Sequence, residues 1–122
     1  MARLARRAAI CAGLLVSATM LTGCGFGAGV TDARQACGYV NHALKLEKLA
    51  LGATGAAKVR LESNAMATLI RATPFAARAT SADGQWNALQ TTIGEAQRVP
   101  ISDLAPSLRR ICKVANSASP YL

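Results

Sequence analysis

Few side chains in this chain of 122 residues could carry chemistry: one histidine, six carboxylates and four cysteines. Tyr39 precedes His42 by one helical turn, so the two could share a ligand. Tyrosine and histidine both serve as axial haem ligands, and haem is the cofactor that such a pair suggests. The simpler interpretation is an exposed histidine beside a packed tyrosine, because His42 falls opposite Val40 and Leu44 on the helical wheel. We therefore expect no bound cofactor.

The remaining polar residues show no arrangement typical of an enzyme. The carboxylates are scattered, with neither the spacing of a calcium-binding loop nor a pair suited to acid–base catalysis. The serines have no evident base partner. The sequence therefore predicts a protein that is not an enzyme and that holds no metal.

Glu47 stands out because its wheel position falls inside the apolar arc of its helix. A buried acid usually needs a partner, and Arg60, Arg71 or Arg109 could supply one. The alternatives are a polar contact in a ligand cleft between helices and an internal or boundary salt bridge.

The first thirty residues have the pattern of an export leader. Arg3, Arg6 and Arg7 are followed by an uncharged stretch over residues 8–21. A transmembrane helix needs about 20 residues, whereas this length suits the hydrophobic region of a signal peptide. A buried amphipathic helix is disfavoured, because the apolar residues lack a helical period and run into a glycine-rich stretch.

The end of this leader, Leu21-Thr22-Gly23-Cys24, resembles the lipobox of bacterial lipoproteins. The resemblance implies cleavage just before Cys24, which removes residues 1–23, and a diacylglyceryl group on its thiol. Two acyl chains, at ~0.8 kcal/mol per buried CH₂, anchor a protein stably. We expect the mature chain on the extracytoplasmic face of the cell membrane. The pair Arg6-Arg7 leaves two export routes open, the general secretory route and the twin-arginine route, although the flanking residues match the twin-arginine signal poorly.

Two cysteines remain once Cys11 leaves with the leader and Cys24 carries lipid. In an exported protein such a pair predicts a disulfide between Cys37 and Cys112. The bond would close a loop of roughly 75 residues, worth ~4 kcal/mol. Two free redox thiols are the alternative, but no Cys-x-x-Cys pair supports it. With the pair bonded, one histidine leaves no tetrahedral zinc site.

Apolar periodicity predicts an all-α domain, a small four-helix antiparallel bundle whose first and last helices are joined by the disulfide. The first helix is expected after a Thr31-Asp32 cap and to end at Gly52; the second begins around Thr54-Gly55 and is ended or kinked by Pro74. A third follows the Asp83-Gly84 turn. Ser102 or Asp103 is expected to cap the last, with Pro106 in its first turn. The domain boundaries are then 1–23 for the signal peptide, 24–31 for the lipidated cysteine and glycine-rich tether, 32–116 for the bundle and 117–122 for a flexible tail.

Several short segments resemble a family of small, alanine-rich helical proteins of unknown function from actinobacteria. They are Ala36-Cys37-Gly38-Tyr39-Val40, residues 83–89, residues 91–95, residues 98–100 and residues 105–112. The resemblance supports the helical fold and the location, and implies no activity.

The basic excess of this chain, formally +8, suggests an anionic partner. No aromatic interleaving or groove-reading motif accompanies the cations, so nucleic acid is not expected. Arg34, Lys45 and Lys48 would share one face of the first helix, either as a docking patch for anionic lipid headgroups or as a solvated face.

Two functions remain. The first is a non-catalytic interaction module that binds an unknown envelope protein, a polymer or the membrane. The second is a carrier of a small apolar ligand, a lipid or less readily haem, held between helices near Trp86, Phe75, Met66 and Ile93.

Overall fold

Helices make up most of the described chain. The computed structural model describes residues 27–121. Five α-helices and a 3₁₀ turn (Gly84–Trp86) follow one another: α1 Val30–Leu51, α2 Gly55–Ile70, α3 Thr73–Ala82, α4 Asn87–Glu95 and α5 Ile101–Ala115. Residues 27–121 contain no β-strand, which confirms the predicted all-α class.

The second predicted helix is divided into α2 and α3 at the position expected from Pro74. A proline ring clashes with the carbonyl four residues earlier, here that of Ile70, which is the last residue of α2. Pro74 itself lies in the first turn of α3, where its missing N–H costs nothing. The proline therefore fixes both the end of one helix and the start of the next.

Two of the predicted helix starts were wrong. Helix α1 begins at Val30, with Gly29 rather than Thr31 or Asp32 at the N-cap position. Helix α5 begins at Ile101, and the Asp103 N–H donates to the carbonyl of Pro100 at 3.0 Å, so no side-chain cap is needed. Pro106 consequently lies in the second turn of α5. At the Asp83-Gly84 turn, Asp83 caps the 3₁₀ turn, since its carboxylate accepts from the Gln85 N–H at 3.0 Å.

Alanine dominates the core, as the composition suggested. Eleven of the 23 buried hydrophobic residues are alanines, and only a few large side chains are completely enclosed. The largest are Trp86, Leu69, Leu89 and Leu108. Because an alanine face occupies little space, helices can approach closely and leave room for these few bulky groups at the centre.

The glycine-rich segment predicted as a tether is packed on the domain from Gly27 onward. Gly29 has φ +76°, in the left-handed region, and a Cβ placed on it would lie 2.6 Å from the Ala79 carbonyl oxygen of α3. The neighbouring Ala28 carbonyl accepts from the Trp86 indole N–H at 3.3 Å. The tether prediction was therefore wrong for residues 27–30; residues 24–26 lie outside the described chain.

Replacing Gly29 by alanine should destabilise the domain by at least about 2 kcal/mol. A left-handed conformation costs an L-residue about 1–2 kcal/mol, and the overlap with backbone atoms of α3 adds to it. Gly94 is a matched control, because it lies within α4 and a Cβ there meets no atom within 4 Å. Gly94→Ala should instead stabilise by about 0.5–1 kcal/mol. Urea unfolding monitored by circular dichroism measures both; equal effects of the two substitutions would contradict the packing of Gly29.

Candidate functional site

A concave surface that combines charge with apolar area lies between the last two turns of α1 and the first half of α5. It has a volume of about 600 Å³, which is in the range of small-molecule sites. We call it the α1–α5 cleft, and its lining residues are Leu44, Glu47, Lys48, Leu51, Ser102, Ala105 and Arg109.

Two contacts outside the cleft fix the register of the helices that form it. The Sγ atoms of Cys37 and Cys112 lie 2.04 Å apart, at disulfide-bonding distance, with the two Cα atoms 5.4 Å apart. This confirms the predicted pairing. One helical turn earlier on α1, Arg34 Nε donates to the Ala115 carbonyl at 2.8 Å. Positions that rise along α1 thus meet positions that fall along α5, so these two helices run in opposite directions and Glu47 and Lys48 reach the level of Ser102.

The side chain of Arg34 is hydrogen-bonded to the C-terminal end of α5. Besides Ala115 it reaches the Ser117 carbonyl, to which Nη2 donates at 3.1 Å. A cation that binds the last carbonyls of a helix also interacts favourably with the helix dipole. Arg34 thus differs from the other two members of the predicted patch, Lys45 and Lys48, in being held by another helix, and docking of the patch on anionic lipid stays a prediction.

The cations at the α1–α5 cleft have no acidic partner within the described residues. Ion pairs in that part of the chain join Lys58 to Glu62, Arg78 to Asp32 and Arg98 to Glu95, all away from the cleft. Lys48 and Arg109 line the cleft. A shallower depression beside it is lined by Asn41, Leu44, Lys45, Lys48 and Arg109, so the positive charge continues along the seam.

Glu47 is the one acid among the residues that line the α1–α5 cleft. It is half-buried, and no described cation lies within 4.0 Å of its carboxylate, although Arg109 stands on the opposite wall. Of the two sequence hypotheses, the structure places Glu47 in a cleft between helices rather than in a salt bridge. Three cations and one carboxylate give this seam a net positive charge.

Apolar side chains border the cleft at the C-terminal end of α1. Leu49 is 60% and Leu51 65% exposed, and both lie beside Lys48. A further depression on this side is lined by Lys45, Lys48, Leu49 and Gly52. Apolar surface and positive charge thus lie next to each other.

Tyr39 and His42, which were predicted as a pair, contact different parts of the domain. The Tyr39 ring stacks on Phe75 of α3 with centroids 5.6 Å apart, and Arg78 lies 4.6 Å above the same Phe75 ring. His42 is exposed and borders a groove shared with Leu46 and residues of α2. The tyrosine therefore packs between α1 and α3 while the histidine is exposed, as in the simpler interpretation, and the expectation of no bound cofactor stays a prediction.

Trp86 is not positioned to touch a ligand. Its side chain is fully buried, and the indole N–H, its one polar group, donates a hydrogen bond to the Ala28 carbonyl. Ile93 is also buried, while Met66 and Phe75 are half-buried and pack against the core. The N-terminal turn thus lies against the indole, and the expected site for an apolar ligand near Trp86 stays a prediction.

The sequence suggested Arg109 as one possible partner of Glu47 and placed Lys48 in a separate basic patch. It did not bring these residues together with Ser102, which was predicted as a helix cap. A signal was available. The predicted disulfide between positions 37 and 112 sets the α1–α5 register, and counting ten residues along each helix places position 47 opposite position 102.

Other site predictions have no counterpart in the described chain. Cys24 lies outside residues 27–121. Within that range no three His, Cys, Asp or Glu side chains gather as a metal-binding group. None of the helices in the same range is both long enough and apolar enough to cross a membrane.

Comparisons with known proteins add no relative. No family model, no curated protein and no solved structure matches this chain. The resemblance to actinobacterial helical proteins accordingly remains a prediction.

Proposed function

We propose that this chain is a membrane-anchored extracytoplasmic lipoprotein whose helical domain is a non-catalytic interaction module. The proposal is carried by the lipobox-like Leu21-Thr22-Gly23-Cys24 and by the start of the packed domain at Gly27. Three extended residues span at most about 10 Å, so lipid on Cys24 would hold the domain next to the headgroups.

The arrangement of the helices supports a rigid module. We propose an antiparallel bundle throughout, since the connections are short and α1 contacts α2, α3 and α5. Its partners would be the anionic lipid surface near the anchor and an envelope protein, with no nucleic acid. Carriage of an apolar ligand in the core is the weaker alternative, because Trp86 and Ile93 are buried among the core side chains.

Replacing Cys24 by alanine in the full chain tests the anchor. We expect the wild-type chain in the detergent-soluble membrane fraction, with an N-terminal peptide that begins at Cys24 and carries the mass of a diacylglyceryl group. Cys24→Ala should lose both the cleavage before residue 24 and the lipid mass.

Cys11→Ala is the matched control, since Cys11 belongs to the leader that would be removed. It should yield the same mature mass as the wild type. An unmodified Cys24 in the purified wild-type chain, or a mature wild-type chain that does not begin at Cys24, would overturn the proposed anchoring.

A further inference from the structure

We infer that the α1–α5 cleft binds one anionic phospholipid with a hydroxylated headgroup, with its phosphate near Lys48 and Arg109 and part of an acyl chain on Leu44 and Leu51. This deepens the proposed function, since it names the partner class of the module. The binding chemistry itself resides entirely in residues 41–52 and 102–109.

The phosphate assignment follows from charge. Lys48 and Arg109 face the same cleft from two helices, and neither has an acidic partner within the described residues. Arginine and lysine bind phosphate through charge-assisted hydrogen bonds, and the Arg guanidinium can do so bidentately. The Ser102 side chain lines the same cleft and can add a hydroxyl donor.

The hydroxylated headgroup follows from Glu47. Its carboxylate lies in the same cleft and would repel a bare phosphate, but it can accept hydrogen bonds from sugar or glycerol hydroxyls. A polyol phosphate satisfies both the cations and this acid, whereas a choline phosphate supplies no hydroxyl and no net charge.

The acyl chain follows from the exposed leucines. Leu51, 65% exposed, is on the rim of the cleft, and Leu44 is buried at its base. An exposed apolar side chain beside cations is the arrangement expected for an amphiphile at a membrane surface. Helix α1 is about 33 Å long, so the cleft reaches the headgroups when α1 lies along the bilayer rather than upright.

Binding can be tested by titrating the ¹⁵N-labelled full chain, in uncharged maltoside micelles, with dihexanoyl phosphatidylglycerol. We expect saturable amide shifts confined to residues that line the α1–α5 cleft. Dihexanoyl phosphatidylcholine, which tests the charge, and glycerol phosphate, which tests the chain, should each bind at least about tenfold more weakly.

Two double variants of equal charge change localise the effect. Lys48→Gln with Arg109→Gln should weaken phosphatidylglycerol binding at least about tenfold, through loss of two charge-assisted contacts. Arg60→Gln with Arg71→Gln removes two exposed cations of α2 and the following turn, and should change it less than about twofold.

Equal losses in the two double variants, shifts spread over all helices, or equally tight binding of glycerol phosphate would each overturn the inference. Failure of the anchor is distinguishable, because the mass of the same purified chain shows whether Cys24 carries lipid.

Discussion

Removing the Cys37–Cys112 cross-link is expected to lower the free energy of unfolding by about 4 kcal/mol. The two cysteines are 75 residues apart, and a loop of this length constrains the unfolded chain strongly. Small domains are stable by only about 5–15 kcal/mol, so the loss would be a large part of the total. For a domain of this size it corresponds to a fall in Tm of at least about 15 °C.

Thermal unfolding monitored by circular dichroism, with and without reductant, measures this effect. The double variant Cys37→Ser with Cys112→Ser serves as the control, because its Tm should be low already and should not change with reductant. A wild-type Tm that is the same in both conditions, after alkylation shows that the thiols were released, would contradict a stabilising cross-link.

Trp86→Ala is expected to destabilise the domain by about 3–5 kcal/mol. The indole is completely buried between the 3₁₀ turn and the core. Its truncation leaves a cavity, and the alanine-rich surroundings have few long side chains that could move in to fill it. It also removes the donor to the Ala28 carbonyl, which holds the N-terminal turn against α3. Urea unfolding followed by circular dichroism gives the change.

Trp86→Phe separates packing from hydrogen bonding. The smaller ring keeps most of the burial but loses the N–H, and the loss should be about half that of Trp86→Ala or less. Equal losses would mean that the contact with Ala28 dominates, and a negligible loss in Trp86→Ala would contradict a core centred on this residue.

The helical class and the cysteine pairing were accessible from the sequence. Apolar spacing and proline positions are local signals, and the ends of α1 and α2 at Leu51 and Ile70 follow from Gly52 and Pro74. The pairing of Cys37 with Cys112 followed from counting, because two cysteines admit one intramolecular bond. The leader and its lipobox-like segment are likewise local patterns, and they support the proposed anchor.

The α1–α5 cleft could not be read from any single segment. Its residues come from two helices at opposite ends of the described chain, and their meeting depends on the register that the disulfide and Arg34 impose. The helical wheel showed which face of α1 carries Glu47. It did not show which residues of another helix lie opposite that face. The role of Arg34 was missed for the same reason, since its partners are carbonyls 81 and 83 residues away.

By itself, the sequence determined that the chain is helical, where its glycines and prolines interrupt the helices, and which two cysteines pair. Those features depend on interactions within a few residues or on simple counting. Only the tertiary structure decided that the glycine turn at residues 27–29 packs on Trp86 and α3, that Trp86 is fully buried, and that Glu47, Lys48, Ser102 and Arg109 share one cleft. The physical reason is that packing between helices depends on the complementarity of distant surfaces, and in an alanine-rich chain many faces look alike until the few large side chains select one arrangement.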